Sequence, residues 1–117
     1  MKTENIVITS AFRTPVGSFM GSLSNIKASE LSSLVIKKCI EHSKLNNTDV
    51  DQCFIGQVLQ AGCGQNPARQ AAIAAGIDKE KTSTTINQVC GSGLASISLG
   101  YNSLKLNDSN IVIAGGQ

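Results

Sequence analysis

Aromatic side chains are nearly missing from this sequence: it has no tryptophan, one tyrosine and three phenylalanines. Charged residues are also scarce, at 15%. The core must therefore be aliphatic and built of small residues, drawn from the 41% of the chain that is apolar. Ten Lys and Arg against eight Asp and Glu leave a formal charge of +2, with no basic cluster, which argues against a nucleic-acid partner. No apolar stretch approaches the roughly 18 residues a membrane span needs. No apolar leader follows residues 1–5, because Ser10, Arg13 and Pro15 interrupt, so a cytoplasmic location is expected. Four cysteines are present, Cys39, Cys53, Cys63 and Cys90. No pair has the two-residue gap of a zinc or redox motif, and the single histidine, His42, is near only Cys39. No metal or cofactor is expected, and the thiols read as free rather than bridged.

At 117 residues the chain is long enough for one ordinary domain. Residues 5–10, Asn-Ile-Val-Ile-Thr-Ser, are β-branched and predict a buried first strand. Residues 11–27 hold Pro15, Gly17 and Gly21 among Ser and Asn and predict a long loop. Residues 29–43 predict a helix with Leu31, Leu34, Val35 and Cys39 on its inner face, and with His42 as a solvated surface side chain. Residues 53–58 predict a second strand carrying Cys53. Asn66 and Pro67 read as N-cap and first residue of a second helix, which Gly76 ends in a left-handed conformation. Residues 82–86 predict a strand, 91–106 a helix, and 111–114 a last strand. Gly115 and Gly116 read as a closing turn. The order β-α-β-α-β-α-β implies an α/β layered fold around a mostly parallel sheet. Ending after a strand, where an α/β unit would continue, the chain looks interrupted rather than finished.

Cys90 lies in Asn87-Gln88-Val89-Cys90-Gly91-Ser92-Gly93-Leu94, between the strand 82–86 and the helix that follows. A thiol on such a turn faces a cavity near the positive end of a helix, a position that favours the nucleophilic thiolate. Flanking glycines permit a strained turn and close approach of a substrate. The residues alone leave two readings open, a nucleophile or a buried thiol in a tight turn. No histidine stands nearby as the base such a nucleophile usually has. The remaining candidates read as structural. Gly62-Cys63-Gly64-Gln65-Asn66-Pro67 lacks the features of a phosphate loop and is taken as a helix entry. Ser92 is not in a Gly-x-Ser-x-Gly elbow. Cys63 lies in a loop, and Arg69 is expected in an ion pair.

At this point the sequence resembles the thiolase family. The motif around Cys90 is similar to that of the family's acyl-accepting cysteine. Three further stretches match in the family's order: Arg13-Thr14-Pro15-Val16-Gly17-Ser18-Phe19; Gly56-Gln57-Val58-Leu59-Gln60-Ala61-Gly62 with Gly64-Gln65-Asn66-Pro67-Ala68-Arg69-Gln70; and Ala114-Gly115-Gly116. The resemblance is strongest to the acetoacetyl-CoA thiolases, that is, to acetyl-CoA acetyltransferases. It implies a thiolase-like layered fold with a mixed sheet, of which residues 1–117 form only the N-terminal part. It also implies that Cys90 accepts an acetyl group from acetyl-CoA, with its backbone N–H as an oxyanion donor, before condensation to acetoacetyl-CoA or, in reverse, thiolysis. Coenzyme A thioesters would be the substrates, and pairing of strand 82–86 with a second copy would make a homo-oligomer. The family's Gly-His-Pro base, second acid/base cysteine and substrate-binding loop domain have no counterpart in this sequence, so the chain by itself is expected to be a poorly active or inactive fragment. Two alternatives stand beside this one: a non-catalytic fold fragment or interaction module, and a relative of the ketoacyl synthases or hydroxymethylglutaryl-CoA synthases.

Overall fold

A computed structural model describes residues 5–117; residues 1–4, part of the N-terminus read above as lacking a leader, lie outside the described residues. The elements run α1 (Ala28–His42), β1 (Gln52–Gly56), α2 (Pro67–Ala74), β2 (Thr82–Ile86), α3 (Ser92–Lys105) and β3 (Val112–Gly116). The three strands form one parallel sheet in the order β2-β1-β3. In register, Cys53 stands beside Ser83 and Ile113, and Gly56 beside Ile86 and Gly116. The α/β character and parallel pairing agree with the alternation of strands and helices in the sequence, and every strand pair among the described residues is parallel.

Side-chain alternation along β1 assigns one face to each helix layer. Cys53 and Ile55 point into an aliphatic core with Ile36 and Ile40 of α1, Val50, Ile77, and Ala68, Ala71, Ala72 and Ala75 of the α2 region. On the opposite face α3 lies over β1 and β3. It buries a stripe of small residues, Ser92, Ser96, Gly100 and Ser103, which lets the helix come close to the sheet. The buried hydroxyls are satisfied: Ser96 Oγ donates to the Ser92 carbonyl at 2.9 Å, and Ser103 and Ser109 bond to each other at 2.9 Å, as burial of polar groups requires.

Helix α2 starts as expected. Asn66 is its N-cap with φ 44°, its side chain accepts from the Arg69 N–H, Pro67 is the first helical residue, and Gly76 past the end takes φ 91°. Arg69 departs from the expected ion pair: its guanidinium donates to the carbonyls of Lys79 and Lys81, at 2.8 and 3.0 Å, and so ties down the turn into β2. A fork of N–H donors suits two carbonyls better than one carboxylate here, because the 78–81 turn leaves those carbonyls without ladder partners.

Four sequence expectations are corrected. Residues 5–10 form no strand; Val7 and Ile8 are exposed. That segment lies against the end of α1, with Thr9 Oγ1 and Ser43 Oγ 2.9 Å apart, Ser10 Oγ donating to the Cys39 carbonyl at 3.3 Å, and the Phe12 ring edge-on to His42. β-branched residues make a strand only when a ladder partner is within reach, and among the described residues none pairs with this segment. Second, β1 ends at Gly56, so Gln57 and Val58 lie beyond the strand. Third, Gly115 and Gly116 are not a turn but continue β3, their backbones paired with Ile55 and Gly56. Fourth, α1 buries Ser32, Ser33, Ile36 and Ile40, leaving Leu34 60% exposed and Cys39 half-buried. Small serines let α1 approach the alanine-rich α2, an advantage that a count of large apolar residues does not reveal. His42 is exposed, as expected.

Candidate functional site

β2 ends at Ile86, and α3 begins six residues later at Ser92. Residues 87–91 make a sharp elbow between them. Asn87 Nδ2 donates to the Val58 carbonyl at 3.1 Å, tying the elbow to the segment after β1, while its Oδ1 accepts from the Val89 N–H at 3.0 Å. Val89 has φ 50°, a left-handed conformation that a β-branched residue rarely adopts. Ser92 Oγ accepts from the Gln88 N–H at 2.9 Å and donates to the Val89 carbonyl at 2.6 Å. The Ser92 N–H bonds the same carbonyl at 3.1 Å.

Cys90 is at the apex, with an exposed thiol. It borders an open cleft of about 320 Å³. One wall is Gly56, Gln57 and Val58 at the end of β1. A second is Gly116 and Gln117 at the end of β3, and the third is the elbow with Ser92 and Gly93. The cleft thus sits at the carboxyl ends of parallel strands, where α/β sheets hold their ligands. The α3 N-terminus opens onto it, and its N-cap, Gly91, supplies no side-chain cap. That end of the helix favours negative charge. Among the described residues, no Lys, Arg, His, Asp or Glu lines the cleft. Two side-chain amides line it: Gln117 Nε2 donates to Gln57 Oε1 at 2.7 Å, and Gln57 Nε2 donates to the Leu59 carbonyl at 2.8 Å.

The other thiols are elsewhere. Cys53 is 1% exposed in the core, and burial pushes its thiol up to about 12, against a smaller downward pull from Ser83. Cys63 is half-buried and accepts from Gln57 Nε2 at 3.3 Å. It lines a smaller cleft of about 160 Å³ with Lys27, Ser29 and Gln70. His42, on α1 beside Phe12, does not line the Cys90 cleft. The loop 62–66 is held by Gln70, whose Nε2 donates to the carbonyls of Cys63 and Gln65, which fits a helix entry. Among the described residues no group of three or more His, Cys, Asp or Glu is placed to hold a metal ion, and no helix is long and apolar enough to cross a membrane.

Sequence reasoning singled out Cys90 and missed the cleft's other walls. Gln57 was within a recognised stretch, but nothing local signalled that β1 and β3 would bring it against Gln117. The Gly-x-Ser-x-Gly criterion passes over Ser92, although its position two residues after the cysteine is where a hydroxyl can reach back over the turn.

Comparison with known proteins places the chain in a family. The family described as thiolase, N-terminal domain, matches residues 6–117. The acetyl-CoA acetyltransferase of Pseudomonas aeruginosa is 48% identical over 114 residues, covering 97% of this chain and 29% of that protein. That of Paracoccus denitrificans is 50% identical over 111 residues, covering 95% and 28%. A probable acetyl-CoA acyltransferase of Staphylococcus epidermidis is 49% identical over 113 residues, covering 97% and 29%. The chain therefore spans less than a third of the length of these relatives. The chain belongs to the thiolase family.

Proposed function

We propose that this member of the thiolase family supplies the acyl-accepting cysteine of an acetyl-CoA C-acetyltransferase, and that Cys90 is that residue. The observation that carries the reading is the exposed Cys90 thiol at a strand-to-helix elbow, bordering a cleft at the carboxyl ends of the strands. In the first half-reaction the Cys90 thiolate attacks the carbonyl carbon of acetyl-CoA. The Cys90 Sγ–C bond forms, the bond from carbon to the coenzyme A sulfur breaks, and coenzyme A leaves as its thiol with one proton. The charge that gathers on the carbonyl oxygen is met by the α3 N-terminus and the Cys90 backbone N–H. In the second half-reaction another acetyl-CoA gives up a methyl proton, its carbanion attacks the acetyl carbon, and the Cys90 thiolate departs from acetoacetyl-CoA. Thiolysis is the same sequence reversed. Coenzyme A thioesters are the substrates, and no further cofactor enters.

Both half-reactions move protons, and among the described residues none lining the cleft is a histidine, carboxylate or lysine. Each positioned acid or base is worth roughly 10²- to 10⁴-fold, so this chain alone carries out the first half-reaction slowly and the second not at all. We place it in the cytoplasm, and in a homo-oligomer through the outer edge of β2. That strand is at the end of the sheet, with β1 on one side only, and an open edge is a template for a second copy. Intact-protein mass spectrometry after incubation with acetyl-CoA tests the reading. One acetyl group on the wild type and none on Cys90→Ser supports it; the same number of acetyl groups on both, zero included, defeats it.

A further inference from the structure

We infer that Ser92 is a positioning residue for the Cys90 nucleophile: its buried hydroxyl locks the left-handed turn at Val89 that aims the thiol and the Cys90 N–H into the cleft. The inference rests on the reading of Cys90 as the nucleophile. Val89 at φ 50° costs roughly 1–2 kcal/mol for an L-residue with a Cβ, and such strain persists only where the surroundings over-determine it. The restraints around it are specific. The Asn87 side chain holds the Val89 N–H, and Ser92 Oγ bridges the Gln88 N–H and the Val89 carbonyl.

The second of those Ser92 bonds matters most. The Val89 carbonyl belongs to the peptide unit that also carries the Cys90 N–H. No cis peptide bond occurs among the described residues, and a trans peptide plane is rigid, with its C=O and N–H on opposite sides. Pinning that carbonyl toward α3 at 2.6 Å therefore turns the Cys90 N–H the other way. The same bond fixes where the Cys90 Cα–Cβ bond points. Ser92 is itself 4% exposed and spends its hydroxyl within the turn, so it acts through Cys90 rather than on substrate. It can sit there because Gly56 has no side chain: a Cβ on Gly56 would lie 2.6 Å from Ser92 Cβ.

The test is a cycle of Ser92→Ala, Val89→Gly and the double variant in the 117-residue chain. Two rates are read by mass spectrometry of the peptide that carries Cys90: its alkylation by iodoacetamide and its acetylation by acetyl-CoA. Thermal midpoints are recorded for all four proteins. Glycine adopts positive φ without penalty, so the hydroxyl should matter only when valine occupies position 89. The expected result is that Ser92→Ala slows both rates about tenfold beside Val89 and less than about twofold in the Val89→Gly background, one tenfold step being the worth of an ordinary hydrogen bond. Equal slowing in both backgrounds, or rates that do not change, would overturn the inference, as would slowing that follows the thermal midpoint alone. The iodoacetamide arm keeps the two claims apart. If the wild type takes up no acetyl group, the acetyltransferase reading fails while the alkylation cycle still judges Ser92.

Discussion

Gly56 and Ser92 touch backbone to backbone: a Cβ built on Gly56 would sit 2.6 Å from the Ser92 carbonyl carbon and 2.8 Å from its oxygen. This contact joins the end of β1 to the first turn of α3, directly below the cysteine elbow. Gly56→Ala must push α3 away, because the neighbouring atoms are the Ser92 backbone and its Cβ, which cannot rotate aside. We expect a loss of about 1–3 kcal/mol, the range for overpacking, and slower modification of Cys90. Thermal unfolding together with the iodoacetamide rate checks this; an unchanged midpoint would show that the contact is soft.

The pH dependence of stability above neutrality should be set in part by Cys53. Its thiol ordinarily titrates near 9.0 and is raised to about 12 in the fold. Between those values the folded state holds a proton that the unfolded state has released. Its contribution is therefore complete below pH 9.0 and is lost as the pH rises toward 12, at about 1.4 kcal/mol per pH unit. Denaturant unfolding of the wild type and Cys53→Ala at pH 8, 9.5 and 10.5 should show the difference between them narrowing. Parallel curves would argue that the thiol is not isolated from solvent.

Asp51 governs the acid side. The Asn110 N–H lowers its carboxyl below the usual 3.8, burial pushes the other way, and the Ile111 N–H and Lys81 lower it further. Lys81 Nζ stands 3.2 Å from Oδ1, and the Asn110 N–H bonds Oδ2 at 2.8 Å. A depressed folded value means the stabilisation is present above about pH 3.8 and disappears as the pH falls through that lower value. Asp51→Asn should cost about 1 kcal/mol at pH 7, and the gap from wild type should shrink below pH 4. A gap that is constant with pH would mean that charge plays no part.

Self-association through β2 is expected to respond to charge on that edge. Thr84 is exposed midway along the strand, and lysine on an edge strand discourages pairing. Size-exclusion chromatography with light scattering should show the wild type larger than a monomer and Thr84→Lys shifted toward one. A wild type that elutes as a monomer at every concentration would rule the β2 interface out for this chain.

Apolar surface on α3 bears on the same measurement. Leu94 is 72% exposed, and Ile97 and Tyr101, at helical spacing from it, are exposed too. A helix that turns its small residues inward and its large apolar ones outward is normally covered on that outer side. If Thr84→Lys remains associated, these three side chains are the next to replace with polar ones.

What could be read from the sequence was local. The cap Asn66-Pro67, the left-handed Gly76, the parallel α/β alternation and the turn that presents Cys90 all depend on residues within a few positions of one another. The residues around Cys90 also carried the family resemblance that the match over residues 6–117 bears out. Tertiary structure decided what depends on distant partners. Residues 5–10 have strand composition but join no ladder among the described residues. Gly115 and Gly116 look like a turn and are strand because β1 pairs with them. Helix α1 turned its small serines inward because closeness to the alanines of α2 outweighed burying Leu34. Ser92 acquired its place above Gly56 only when β1 came to lie beneath α3. Propensity and capping act over one turn of chain, whereas pairing, close approach and the walls of the Cys90 cleft are set by segments about 30–60 residues apart, and no short stretch of sequence encodes them.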